Sequence, residues 1–168
     1  MLTIHGQLRL PLVPFIVREG NAAMTVQATK IVSVAKSKVG SSDWMYVKSK
    51  DGFPKNTNKC NQFVYDVIVE AGLPGPTVPK YGIFSRPPTA GEWATTAIVI
   101  KGWKIVTEPQ AGDVIAEAHQ YADATGHVGI VVDSGQTASA SALEGGMIVQ
   151  NDWGFRSDNS PTFRRYIG

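Results

Sequence analysis

The only cysteine of the chain, Cys60, stands in the stretch TNKCNQFVYDVIVEAG, where a polar loop turns into an amphipathic helix. A thiol at the start of a helix feels the positive end of the helix dipole, which lowers its pKa and favours the nucleophilic thiolate. The backbone N–H at this position is also free to donate to a developing oxyanion. The position therefore predicts a catalytic nucleophile. The alternative is a small buried apolar residue, which free cysteine often is.

A histidine suited to act with this thiol, His127, occurs in GHVGIVV, which opens a predicted strand. An imidazole facing the helix start would accept the thiol proton and later protonate a leaving amine. His127 is one of three histidines, so a purely structural role is the competing interpretation.

A second pattern includes the same histidine, because His119, Asp123 and His127 are spaced four residues apart. That spacing is typical of a metal site on a helix. Gly126 and the β-rich residues after it argue against a helix here, so we predict no metal and no other cofactor.

Composition narrows the functional classes. The chain has 168 residues with a net charge of +2 and no basic run, which argues against nucleic-acid binding. A single cysteine excludes an internal disulfide, and no apolar run reaches the roughly 18 residues of a membrane span. We predict an irregular arm over residues 1–23 and one domain over residues 24–168. The arm is a poor signal peptide, since it lacks a basic start and contains two prolines.

The elements that must position Cys60 and His127 follow from apolar periodicity. A helix is predicted within residues 25–40, a long polar loop over 41–59, a helix from Cys60 to Gly72, and a short helix after the capping-box pair Thr89 and Glu92. Five strands are predicted after residue 100, in GWKIVTE, GDVIAEA, HVGIVVD, GGMIVQN and TFRRYI. Helices followed by strands predict an α+β fold, with the helices packed on an antiparallel sheet.

Three of these segments, NKCNQFVYDVIVEAG, PQAGDVIA and GHVGIVV, resemble in order the motifs of the NlpC family and its CHAP relatives. These are papain-like cysteine peptidases and amidases that cut peptidoglycan peptides. The resemblance covers roughly residues 30 to 155. It implies a papain-like fold with Cys60 as nucleophile and His127 as general base. It also implies that Gly112 and Asp113 mark the strand before the histidine hairpin, with Asp113 as a turn residue.

The loop before Cys60 carries further candidates. Tyr46 resembles a family tyrosine that assists the oxyanion site, and Trp44 is placed to line a substrate groove. With Asn61, these residues form our predicted substrate-binding set. The lead-in PKNTNKCNQFV also resembles amidase effectors delivered by type VI secretion. That resemblance implies synthesis in a bacterial cytoplasm, action in the periplasm or cell wall after secretion, and an immunity protein as partner.

The third catalytic residue is less clear in the sequence. Many family members carry a polar residue, often histidine, about twelve positions after the base, where this chain has Ser139. Serine cannot orient an imidazolium as a carboxylate does. The later strand MIVQNDWGFR offers Gln150, Asn151 and Asp152, of which we favour Asp152 because a carboxylate best holds the histidine tautomer.

The sequence thus predicts a cysteine amidase or endopeptidase that hydrolyses peptidoglycan stem peptides through a thioester. Two alternatives stay open. One is a papain-like module that binds the wall with a degenerate site, and the other is an acyltransferase on the same scaffold.

Overall fold

A computed structural model describes residues 24–80 and 85–168. Its helices are α1 (Val26–Ser37), α2 (Cys60–Glu70) and α3 (Ala90–Ala94). Its strands are β1 (Val78–Pro79), β2 (Ser85–Arg86), β3 (Trp103–Val106), β4 (Val114–Ala118), β5 (Gly126–Asp133), β6 (Gln136–Ser141), β7 (Met147–Asn151) and β8 (Thr162–Tyr166). The predicted arm, residues 1–23, lies outside the described residues. The predicted α+β class is confirmed.

All neighbouring strands of the main sheet are antiparallel, in the order β3-β8-β4-β5-β6-β7. The pair β1 and β2 forms a separate ribbon. None of the helices within the described residues is long and apolar enough to cross a membrane.

The three predicted helices are confirmed, and their ends follow local sequence rules. The Thr25 side chain caps α1 by accepting the N–H of Ala28. Gly72 follows α2 with φ of +80°, a conformation that glycine adopts more easily than other residues. Thr89 and Glu92 form the predicted capping box of α3.

The predicted five strands are present, but the sheet has a sixth, β6, which the sequence analysis missed. Its sequence, QTASAS, lacks the branched and aromatic residues that signal a strand. Ala138 and Ala140 are nevertheless buried in the core, where α2 packs against β6. Small side chains fit this position because a helix lies directly over the strand.

Helix α2 is held on β5 by a continuous apolar contact. The buried stripe of the helix is Phe63, Val64, Val67 and Ile68, and β5 contributes the alternate residues Val128, Ile130 and Val132. Because this stripe starts three residues after Cys60, the packing that stabilises the helix also fixes the position of the thiol.

The predicted long loop between α1 and α2 is also confirmed, and its first part lies against the β6–β7 hairpin. Gly40 donates its N–H to Ile148, Ile148 donates to Ser41, and Tyr46 donates to Gly145. These bonds cover the outer edge of β7 and bring the loop beside the start of α2.

Candidate active site

Cys60 is the first residue of α2 and is 7% exposed. Burial raises the pKa of its thiol to about 11, while the backbone N–H groups of Val128, Asn61 and Cys60 itself act in the opposite direction. The predicted lowering of the pKa by the helix start is therefore wrong, because desolvation outweighs the backbone donors. The thiol is protonated at neutral pH.

His127 follows Gly126 at the start of β5. A side chain at Gly126 would collide with the carbonyl oxygen of Glu117 on the paired strand, and its φ of +145° is rare for other residues. The imidazole packs edge-on against Trp153, with ring centroids 4.3 Å apart and an interplanar angle of 86°. Burial lowers the pKa of His127 to about 4. The ring is therefore neutral at pH 7 and able to accept a proton.

Cys60 and His127 line the same pocket, whose volume is about 650 Å³. The N–H of Val128, next to His127, is directed at the Cys60 sulfur. An amide substrate in this pocket would therefore meet a thiol, a neutral imidazole and the free N–H groups at the start of α2. This set of groups is suited to nucleophilic attack on a carbonyl carbon.

The candidates for the third residue fall in different places. Asn151 and Ser139 line the pocket, whereas Asp152 and Gln150 do not. The carboxylate of Asp152 is exposed and accepts hydrogen bonds from the Arg156 guanidinium at 2.7 and 2.9 Å. The structure thus does not bring our preferred residue, Asp152, to the histidine, because β7 ends at Asn151 and the next side chain points into solvent.

Strand register places Asn151 on the same face of the sheet as His127. Ile130 pairs with Ala138 and Ala138 pairs with Gln150, so these three share one face of the sheet. By alternation, His127, Ser139 and Asn151 belong to the opposite face.

Asn151 also holds the tryptophan that packs on His127. Its Oδ1 accepts the N–H of Trp153 at 3.0 Å, and the Thr137 hydroxyl donates to the Trp153 carbonyl at 2.7 Å. The backbone of Trp153 is therefore fixed at both of its polar groups. No side-chain hydrogen bond of His127 itself is found within residues 24–80 and 85–168, so its orientation in this state depends on packing.

The three predicted substrate-binding residues are only partly brought together. Tyr46 is 37% exposed and lines the pocket. Trp44 also lines it but is 3% exposed, with its indole N–H donated to Asp66 at 2.8 Å. Asn61 does not line the pocket, and its amide donates to the carbonyl of Pro88.

Asp113 has the turn role expected from the sequence. Its carboxylate accepts the N–H of Gln110 and two bonds from the Arg165 guanidinium, all at 2.8 Å. It is 1% exposed and does not line the pocket. Asp113 therefore stabilises the start of β4 through a buried ion pair.

His119 and Asp123 lie in the loop between β4 and β5, and His127 lies in β5, so the helical spacing of the three has no structural counterpart. In the part of the chain that the structure describes, no three His, Cys, Asp or Glu side chains are grouped as a metal site.

Two residues that matter for the pocket were not singled out from the sequence. Trp153 contacts His127, and Lys59 lines the pocket while being only 2% exposed. A lysine directly before the only cysteine was visible in the sequence, but nothing local indicated that it would be buried.

Comparison with protein families agrees with this geometry. The CHAP domain model matches residues 48–145, which include both Cys60 and His127. The match covers more than half of the chain, and the chain therefore belongs to the CHAP family. CHAP domains are papain-like and are typically hydrolases that act on peptidoglycan as amidases or peptidases. A search of curated proteins gives no significant match.

Proposed function

We propose that this protein is a cysteine amidase or endopeptidase that hydrolyses amide bonds in peptidoglycan stem peptides. The observation that carries the proposal is the shared pocket of Cys60 and His127 inside the residues matched by the CHAP family. The pocket is large enough for a short peptide, since small-molecule sites commonly occupy about 300–1,000 Å³.

The proposed reaction has two steps. His127 takes the proton from the Cys60 thiol, and the sulfur attacks the substrate carbonyl, forming a C–S bond. The amide C–N bond then breaks, and the leaving amine takes the proton from His127, which leaves a thioester. In the second step a water gives a proton to His127 and its oxygen to the acyl carbon. The thiolate leaves and recovers its proton from His127.

A developing oxyanion needs donors in a site shielded from water. The N–H groups in the first turn of α2 have no intrahelical partner and can donate to it. Tyr46 lines the same pocket, which supports a role for its hydroxyl at the oxyanion. Its main chain is fixed on the β6–β7 hairpin by the bond to Gly145.

Asn151 is our proposed third residue, in place of Asp152. It lines the pocket and holds Trp153 against the His127 ring. An amide oxygen can accept from an imidazole N–H and so favour one tautomer, as asparagine does in Cys-His-Asn sites. The Asp152 carboxylate is instead paired with the Arg156 guanidinium at the surface.

The proposed biological setting is an effector that degrades the wall of a competing bacterium after type VI secretion. The segment before Cys60 resembles such effectors, and this resemblance supports the proposed setting. Under it, the protein acts in the periplasm or wall and the producing cell makes an inhibitor protein. A pull-down from the native host that recovers no small tight binder would contradict the inhibitor.

The hydrolase is tested by incubating purified sacculi with the wild-type protein and with Cys60→Ala and His127→Ala. We expect released peptides whose masses identify one cleaved amide bond, and loss of at least about 10⁴-fold in rate for each variant. Circular dichroism and thermal unfolding verify that the variants fold. Wild-type rates from folded Cys60→Ala would refute the mechanism.

A second candidate function is supported by the protonation states of the site. A thiol with a raised pKa beside an imidazole with a lowered pKa, and no hydrogen-bonded third residue, would also suit a module that binds wall peptides without cutting them. Such a module would bind sacculi and release no peptide. Rapid alkylation of Cys60 near pH 7 would count against it, because that reaction requires thiolate.

A further inference from the structure

Lys59 is unusual because it is a buried cation without an anionic partner. It is 2% exposed, and no carboxylate lies within salt-bridge distance of its ammonium in residues 24–80 and 85–168. Buried charges are normally paired because removal from water costs several kcal/mol. Lys59 therefore stands in a position that the fold alone does not favour.

The contacts of the ammonium keep it charged and fixed. It donates to the main-chain carbonyl of Thr57 at 2.9 Å and to that of Met45 at 3.4 Å. Burial lowers the pKa of Lys59, but the two carbonyl dipoles interact more strongly with the charged ammonium than with the neutral amine and so favour the protonated form. The two bonds join the start of α2 to the loop that carries Trp44 and Tyr46.

The helix start adds a second unfavourable feature. Lys59 occupies the N-cap of α2, makes no side-chain cap, and is followed by a first turn without an acidic residue. A cation at this end of a helix is repelled by the helix dipole, whereas Ser, Thr, Asp or Asn would satisfy a free N–H. The start of α2 and the Lys59 ammonium therefore both contribute positive potential near residue 60.

The other charged side chains of the pocket do not supply the same potential. Asp123 and Arg156 line the pocket but are exposed, and Arg156 is paired with Asp152. Solvent and salt screen such charges. His127 is neutral at pH 7, as its lowered pKa requires. Among the charged side chains that line the pocket in the described part of the chain, Lys59 is the least exposed.

We propose that the Lys59 ammonium is the counter-charge that stabilises the Cys60 thiolate as it forms, which makes Lys59 a positioning residue acting through the nucleophile. The anion that interacts with the buried Lys59 ammonium is then the Cys60 thiolate, which is present only during the reaction. This inference rests on the proposed function only in taking Cys60 as the nucleophile.

Chain geometry sets the scale of the effect. Consecutive Cα atoms are 3.8 Å apart, and the lysine and cysteine side chains add at most about 6 and about 3 Å, so the ammonium and the sulfur of adjacent residues are separated by roughly 13 Å or less. With an effective dielectric constant of about 20, a unit charge at about 10 Å changes the thiol–thiolate equilibrium about tenfold.

The test uses the rate of Cys60 alkylation by iodoacetamide as a function of pH, which is unambiguous because the chain has one cysteine. Lys59→Met removes the charge and the donors, Lys59→Gln removes the charge but keeps donors, and Lys59→Arg keeps both. Lys55→Met is the matched control, since Lys55 is an exposed lysine of the same loop.

We expect Lys59→Met and Lys59→Gln to alkylate about tenfold more slowly at a given pH, with the profile moved to higher pH by about one unit. Lys59→Arg and Lys55→Met should stay within about twofold of wild type. In parallel, kcat should fall for the Met and Gln variants with little change in KM. Should Lys59→Met not fold, Lys59→Gln decides.

A folded Lys59→Gln protein with a wild-type alkylation profile would overturn the proposal and leave Lys59 as a loop anchor. The readout does not require catalysis. A shifted profile in a protein that cleaves no wall peptide would therefore uphold the role of Lys59 while refuting the proposed hydrolase.

Discussion

Helix α3 begins with a complete capping box, whereas helix α2 begins with no side-chain cap. In α3 the Thr89 hydroxyl accepts the N–H of Glu92, and the Glu92 carboxylate accepts the N–H of Thr89 and pairs with Arg86. In α2 the cap position holds Lys59, and the N–H groups of Cys60 and Asn61 are directed at the Cys60 sulfur. The N–H groups at the start of a helix are thus capped by side chains in α3 and have no side-chain cap in α2.

The partners of the two helix starts also differ in their distance along the chain. The capping groups of α3, from Thr89, Glu92 and Arg86, lie within six residues of one another, and one remote group joins them, because the Gly91 N–H donates to the Thr125 hydroxyl. The groups around the start of α2 come from Met45, Val128 and the end of β7, brought together by the sheet. The N-terminal cap of α3 is therefore mainly local, whereas tertiary packing positions the start of α2 and leaves it without a side-chain cap.

Among the substitutions that test this comparison, we expect the largest effect on kcat from Asn151, which lies far from α2 along the chain. Asn151→Ala should lower kcat by about 10- to 1,000-fold, because the Trp153 N–H loses its acceptor and the His127 ring loses the tryptophan that is fixed against it. KM should change little. Asn151→Asp should recover most of the loss because it retains the carbonyl oxygen. Steady-state kinetics on a defined wall peptide measure both parameters.

Asp152→Asn is the matched control, since Asp152 is the next residue and lies at the surface with Arg156. Its kcat should stay within about twofold of wild type. A severe loss for Asp152→Asn together with a normal Asn151→Ala enzyme would restore Asp152 as the orienting group. Ser139→Ala should also have a small effect.

The second prediction concerns the stability that neutral His127 contributes. The unfolded chain binds a proton at this residue below about pH 6.5, while the folded protein does so only below about pH 4. The contribution is therefore fully present above pH 6.5 and is lost as the pH falls towards 4. We expect the free energy of unfolding to lose roughly 2 kcal/mol from this residue between about pH 7 and pH 4.5.

Denaturant unfolding of wild type and His127→Gln at the two pH values isolates this residue from the carboxylates, which titrate in both proteins. The wild type should lose more stability on acidification than His127→Gln. Equal losses in the two proteins would mean that His127 is not desolvated in the folded state.

The features that could be predicted from the sequence are those that local interactions determine. The capping box of α3, the apolar stripe of α2 and five of the six strands of the sheet were all visible as spacing. Strand β6 was missed because its alanines and serines resemble a turn-rich loop, and their burial depends on α2 lying above them. The pairing of Cys60 with His127 came from motif order and was not determined by periodicity.

The remaining features of the site depend on register, which a single sequence does not reveal. Asn151 and Asp152 are adjacent and chemically similar, and only the pairing of β6 with β7 decides which one reaches the pocket. The pKa of Cys60 likewise depends on how much protein covers the thiol, so the helix start alone predicted the wrong direction.

The third prediction concerns Gly146, through which the β6–β7 hairpin approaches the loop before α2. A Cβ here would lie 2.8 Å from the Trp44 carbonyl oxygen and 3.0 Å from the Tyr46 nitrogen, and its φ is +96°. Gly146→Ala should displace the pocket wall, costing about 1–3 kcal/mol of stability and raising KM several-fold. Thermal unfolding and steady-state kinetics measure the two effects.

Gly135→Ala provides the control, because Gly135 also has a positive φ, of +66°, but an added Cβ would meet nothing within 4 Å. It should lose about 1 kcal/mol or less with KM unchanged. Identical effects of the two alanines would show that only backbone strain matters and that the close approach of the loop does not.

The smallest effect is expected at the locally capped helix. Thr89→Ala removes the acceptor for the Glu92 N–H and should cost about 1 kcal/mol of unfolding free energy, as N-cap replacements commonly do. Because α3 supplies none of the described residues that line the pocket, kcat, KM and the Cys60 alkylation profile should all remain at wild-type values. Thr89→Ser should restore the stability. Lys59→Gln is expected to differ from Thr89→Ala, because Lys59→Gln changes the rate of Cys60 alkylation. A Thr89→Ala protein that keeps its stability but alkylates more slowly would contradict the division between a helix start that stabilises the fold and one that serves the reaction.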